Sequence, residues 1–140
     1  MKFAYEKFPV DNIGSFASRP VLTVVIENPI THRAIGYKAL LDSGADINIF
    51  PAEIAEILGL DMQSGKLYKF GGIGSAGHSS YVHKVNFIVG GSIKYETECA
   101  FSYEISKIGY GVLGQKGFFD HFVIKFDYSK KEIEIKENKK

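Results

Sequence analysis

The chain has 140 residues, 45% of them apolar and 14% aromatic, enough for one packed domain burying roughly 70% of its unfolded surface and too apolar for disorder. Seventeen basic and sixteen acidic residues leave a formal charge of +1, so bulk charge points to no nucleic-acid partner. The lone Cys99 excludes an intrachain disulfide, and neither a membrane-spanning run nor a signal-peptide-like start is visible, so a cytoplasmic domain without membrane attachment is expected.

The predicted elements are mostly strands. Val21 to Ile26 is rich in β-branched residues and stops at Asn28-Pro29. Ile35 to Leu41 is the next strand. Pro51 can open a short helix over Ala52 to Leu58, with Ile54, Ile57 and Leu58 on one face and Gly59 as its stop. Lys66 to Phe70 reads as a strand entering the glycine cluster Gly71 to Gly77. Tyr81 to Val89 alternates as a strand, Gly90-Gly91 signals a two-residue hairpin, and Ile93 to Tyr103 returns antiparallel. A short apolar run, Val112-Leu113-Gly114, precedes a second predicted helix near Lys116 to Phe122. Phe122 to Phe126 and Glu132 to Lys136 then alternate as strands around a turn at Asp127 to Lys130. About nine short strands and two helices describe an all-β, barrel-like domain.

The chemistry concentrates at Asp42-Ser43-Gly44-Ala45. An apolar strand delivers a carboxylate into a turn of small residues, where burial is costly unless the acid is paired or hydrogen-bonded. Gly44 lets backbone N–H groups turn toward that carboxylate, and the Ser43 hydroxyl can brace the loop. Taken alone, the tetrapeptide also fits a strand-end turn with a solvated Asp.

Two further pieces stand in the right order. A glycine-bearing hairpin lies about 30 residues downstream, with Gly72, Ile73 and Gly74 near its tip, and Val112-Leu113-Gly114 follows late in the chain. Hydrophobic-Asp-Ser-Gly-Ala, the glycine hairpin and the hydrophobic-hydrophobic-Gly run together resemble the retropepsin-like, single-domain aspartic proteases, over roughly residues 20–127. The resemblance implies an all-β fold for residues 1–140: a closed acid-protease barrel with a flap hairpin and one or two short helices. It implies an aspartic endopeptidase in which Asp42 is the catalytic acid, Ser43, Gly44 and Ala45 support it, and Gly72, Ile73 and Gly74 supply flap contacts to an extended peptide or protein substrate. Val112, Leu113 and Gly114 would pack beside the acid loop and stiffen it. No metal and no organic cofactor is implied.

The family uses two carboxylates on one water, and this chain has only one Asp-Ser/Thr-Gly sequence. The resemblance therefore implies a homodimer, with the second Asp42 supplied by another copy across a two-fold axis. Its alternating terminal segments, Phe3 and Tyr5 at one end and Ile133 and Ile135 at the other, fit either intersubunit strands or a covered edge within one subunit. Retroviral members place Arg after the hydrophobic-hydrophobic-Gly run, to pair with an Asp corresponding to Asp46. Gln115 stands there instead, so that ion pair cannot form.

Other signals are weaker. Gly72 to Gly77 matches G-x-G-x-x-G, yet a strand rather than a helix follows it, which removes the helix N-terminus a dinucleotide needs. Asp42, Gly44, Asp46, Asn48 and Glu53 mimic a calcium loop, but Ile47 occupies the turn-glycine position. His78 and His83 fall on opposite strand faces, and Cys99 reads as a small core residue rather than a nucleophile. The rival to an enzyme is a binding or dimerisation module that keeps the fold and the acid but does not hydrolyse.

Overall fold

Alternating and β-branched runs form the walls, and the breaks between them fall at Pro, Gly and Asx turns. The computed structural model describes residues 1–10, 14–71, 77–105 and 109–138. Among them the strands are β1 (Lys2–Ala4), β2 (Glu6–Val10), β3 (Ser15–Arg19), β4 (Val21–Glu27), β5 (Ala34–Leu41), β6 (Ile49–Pro51), β7 (Lys66–Phe70), β8 (His78–Val89), β9 (Ile93–Ser102), β10 (Gly111–Leu113), β11 (Phe122–Asp127) and β12 (Glu132–Glu137). One short helix, α1 (Ala52–Ile57), follows β6, and single 3₁₀ turns cover Met62–Ser64 and Tyr103–Ile105. No described helix is long and apolar enough to cross a membrane.

The main sheet runs β4-β5-β10-β6-β9-β8-β7, and β4 also pairs with β8. That extra pairing closes six strands on themselves, and β7 hangs from the outer half of β8. The division of labour within β8 is read from its register. His78 to Val82 pair with β7, whereas Asn86 to Val89 pair with Glu27 to Val24 of β4. Closure removes the free edges of a sheet, which would otherwise recruit other chains.

Inward-facing positions of these strands make the core. Val24, Ile26, Phe50, Val85, Phe87, Cys99, Phe101, Leu113 and Phe118 are fully buried, and Phe50 meets Tyr37 and Phe87 at 6.1 and 5.9 Å between ring centroids. Burial pushes the Cys99 thiol well above its ordinary pKa, so the inert core role holds and a thiolate is disfavoured. The α1 helix buries Ala52, Ile54 and Ala55, with Leu58 just beyond it, while Ile57 is half exposed. Ile54 and Leu58 thus bury as expected, and Ala55 takes the place expected for Ile57. Gly59 ends the helix with φ +74°, a left-handed stop.

Two other expectations change. The helix near Lys116 to Phe122 is a chain of turns. Gly117 has φ +103° and its N–H is taken by the Asp120 carboxylate, so helical geometry cannot propagate. Gly90-Gly91 belong to a three-residue connection, because Val89 pairs directly with Ile93. The termini follow the within-subunit alternative: β1 pairs antiparallel with β12, Phe3 opposite Ile133, and Ile133 and Ile135 are buried in the same chain. The β2–β3 hairpin was not foreseen. It docks through Phe8 on Tyr110 and through Arg19, which lies over the Phe8 ring and donates to the Tyr110 hydroxyl at 3.3 Å.

Candidate active site

The acid loop is the excursion between β5 and β6, and β10 is wedged between those two strands. Gly111, Val112 and Leu113 run parallel to Ala39, Leu40 and Leu41, and Val112 also pairs antiparallel with Ile49. Each stem of the loop is thus tied to the same central strand. Leu41 is buried, its N–H donates to the Pro20 carbonyl at 2.9 Å, and the Asp42 N–H donates to the Leu113 carbonyl at 3.0 Å. The candidate acid therefore leaves the last hydrogen-bonded rung at the buried end of β5.

The turn is held by its own residues. The Ala45 N–H donates to the Asp42 carbonyl at 3.0 Å, and the Gly44 N–H donates to the Asp42 carboxylate Oδ1 at 2.9 Å. This is an Asx turn within a β-turn, in which the acid orients its own side chain. Asp42 is half-buried, while Ser43 and Gly44 are exposed at the tip. A Cβ on Gly44 would lie 3.2 Å from Oδ1, so a side chain there crowds the carboxylate.

Below the tip, Gly114 passes so close to Ile47 that an added Cβ would strike the Ile47 backbone. The buried Asn48 fills the remaining polar needs. Its Oδ1 accepts from the Gly114 N–H at 3.0 Å, and its Nδ2 donates to the Glu98 carbonyl at 3.1 Å. Gln115 and Lys116 continue the ladder, with N–H groups donating to the Ala45 and Asp46 carbonyls at 2.8 and 2.9 Å. The Gln115 side chain reaches farther, and its Nε2 donates to the Ser43 carbonyl at 2.6 Å. Asp46 is thus tied through its backbone, with no need of the cation absent from position 115.

The structure therefore brings Asp42, Ser43, Gly44 and Ala45 together with Val112, Leu113 and Gly114. The flap residues Gly72, Ile73 and Gly74 lie outside the described residues, although the hairpin stem that carries them, Phe70 opposite His78, is described. Sequence reasoning missed Asn48 and Gln115 as braces. Asn48 carried a faint signal, a lone amide between Ile47 and Ile49 in an otherwise apolar run. Among the described residues no three His, Cys, Asp or Glu side chains gather to hold a metal ion. His78 faces Glu104 at 3.1 Å, and His83 faces the Met62 carbonyl at 3.0 Å.

No protein-family model matches the chain, and no curated protein does. By structure it is similar to a retropepsin-like aspartic protease from Rickettsia conorii, at 14% identity and TM-score 0.60, over 95% of this chain and 91% of that one. The fold is retropepsin-like. Two viral structures also align. They are the EIAV protease with an inhibitor (24% identity, 76% of this chain and 88% of that one, TM-score 0.43) and a foamy viral protease–reverse transcriptase (19%, 69% and 11%, TM-score 0.44). In this retropepsin-like barrel the loop carrying Asp42 stands where β5, β10 and β6 converge. A hollow of about 160 Å³ opens at its outgoing end, lined by Ile47, Leu67, Tyr68, Val82, Glu98 and Lys116. Asp42 lines neither this hollow nor the larger one of about 400 Å³ beside Tyr95 and His121.

Proposed function

We propose that this chain is a single-domain aspartic endopeptidase that works as a homodimer, with Asp42 of each copy facing one water. The observation that carries the reading is the Asp42 carboxylate, presented at an exposed turn, oriented by the Gly44 N–H and backed by a ladder of five hydrogen bonds from residues 113–116 and 48. Such a mount suits an acid that must meet a symmetric counterpart at fixed distance. Two carboxylates roughly 3 Å apart cannot both ionise, so the pair holds one proton and titrates as a unit. The ionised member takes a proton from water as it attacks the peptide carbonyl, and the protonated member donates to the carbonyl oxygen. Ser43 would brace the two loops across the axis, and Gly44 and Ala45 would line the cleft floor. The hairpin of β7 and β8, with Gly72, Ile73 and Gly74, would act as the flap. An extended peptide or protein substrate would add to that hairpin as a strand and place an apolar side chain against Ile47 and Val82. The free, buried Cys99 agrees with a reducing, cytoplasmic setting.

The test is digestion of a mixed peptide library beside sedimentation of the full chain. Cleavage is expected between two macroscopic pKa values, lost at high pH when both carboxylates ionise and at low pH when both are protonated. Asp42→Asn keeps an acceptor for the Gly44 N–H, so folding should persist while the rate falls by more than about 10³-fold. A monomer that still cuts peptides would overturn the dimer. An intact library, with a partner peptide bound equally by wild type and Asp42→Asn, would establish the non-hydrolytic binding module instead.

A further inference from the structure

The Ser43–Gly44 peptide group is gripped at both ends. Its carbonyl oxygen accepts from Gln115 Nε2 at 2.6 Å, and its N–H donates to Asp42 Oδ1 at 2.9 Å. Because a trans peptide is planar, the directions of its C=O and N–H are one degree of freedom rather than two. Fixing the carbonyl from one side fixes where the N–H points on the other. The tip of the loop has little else to do this. Ser43 and Gly44 are exposed, and the neighbouring ladder bonds reach the backbone of Asp42, Ala45 and Asp46. A β-turn whose central peptide is not held can rotate that plane between turn types, because glycine at the third position accepts either sign of φ.

We infer that Gln115 is a positioning residue for Asp42, acting through the single peptide plane between Ser43 and Gly44. The inference rests on Asp42 being the catalytic acid. The relay is Gln115 Nε2–H to Ser43 O, and Gly44 N–H to Asp42 Oδ1, in line through one amide. Accepting a bond at its oxygen polarises the amide, which strengthens the bond its N–H donates to the carboxylate. The strut is a neutral amide, so it neither titrates nor places a charge beside a carboxylate pair that must share a proton.

Three variants of the full-length protein test this. Gln115→Leu removes the donor at similar size. Hydrogen exchange at the Gly44 amide should quicken by about tenfold or more, while amides of the buried β5 stem stay protected. On a cleaved peptide kcat should fall about 10- to 100-fold with KM within about twofold. Gln115→Glu places an acceptor against the Ser43 carbonyl when ionised and a donor when protonated. Its defect should therefore shrink as pH falls below about 4.3, the ordinary glutamate value. Gln115→Arg keeps a donor and should restore slow exchange at Gly44. Unchanged Gly44 exchange in Gln115→Leu, or a Gln115→Glu defect independent of pH, overturns the inference. If the wild type cleaves nothing, the peptidase reading falls, but the exchange measurements and their pH dependence still decide whether Gln115 holds the turn.

Discussion

At the scale of single residues, the acid loop shows why small side chains are required where the sequence places them. Gly114 has no room for a methyl group, since the Ile47 carbonyl occupies the position its Cβ would take. Gly114→Ala must push the segment after β10 away from the segment before β6, and the barrier is backbone rather than a side chain that can swing away. Overpacking of this kind costs about 3 kcal/mol. Urea unfolding should show a lower midpoint with an unchanged slope, and activity should fall further than stability because the displaced segment is the one that braces Asp42. The motif Val112-Leu113-Gly114 was legible as a pattern. The reason for its glycine was not, because Ile47 and Gly114 are distant in sequence and meet only through the pairing of β10 with β5 and β6.

Elements were read most surely where period and breakers agreed. β4, β5, β8 and β9 all follow an alternation or a β-branched run visible in the chain, and α1 ends at Gly59 as its composition indicates. The second helix failed for a local reason. Gly117 takes a positive φ in a turn tied by the Asp120 carboxylate, where a Cβ would also meet Asn48 and Thr97, and the chain turns there to lay Phe118 into the core. The β2–β3 hairpin was invisible because Pro9 and the charged residues around it weaken any strand pattern, and its anchor is tertiary, Phe8 and Arg19 on Tyr110. The β1–β12 pair makes a prediction of its own. Ile135 is buried within one chain, so Ile135→Ala should cost about 2–5 kcal/mol in denaturant unfolding at any protein concentration. A loss that vanished on dilution would mean the terminal strands stabilise the dimer instead.

For the whole molecule, charge couples folding to acid pH. Glu27, at the end of β4, accepts from Asn86 of β8 and pairs with Lys94 of β9, both at 2.9 Å, and these partners hold its carboxyl below the usual range. The His78 ring and the Ser79 N–H do the same for Glu104, and the Ser129 hydroxyl and Lys130 N–H for Asp127. A carboxylate with a depressed folded pKa contributes stability that is complete above its unfolded pKa and is lost as pH falls through the folded one. The melting temperature should therefore be steady at neutral pH and decline below about pH 4.3, the ordinary glutamate value. Scanning calorimetry of Asp42→Asn separates this from catalysis, since the decline should persist in that variant. Glu27→Gln should flatten it in part, and a curve identical to wild type would remove Glu27 from the account.

By itself the sequence determined the strand-rich architecture, the loop that carries Asp42 and the small residues that loop needs, because these follow from alternation, turn chemistry and side-chain size along a short stretch of chain. Tertiary structure decided the closure of the barrel through β4 and β8, the pairing of the two terminal strands with each other, and the braces at Asn48 and Gln115. Those contacts join residues far apart in sequence, and a single amide in a chain bears no mark of the carbonyl it will meet. The Gln115 to Ser43 bond spans 72 residues, and only the pairing of β10 beside β5 brings its ends together.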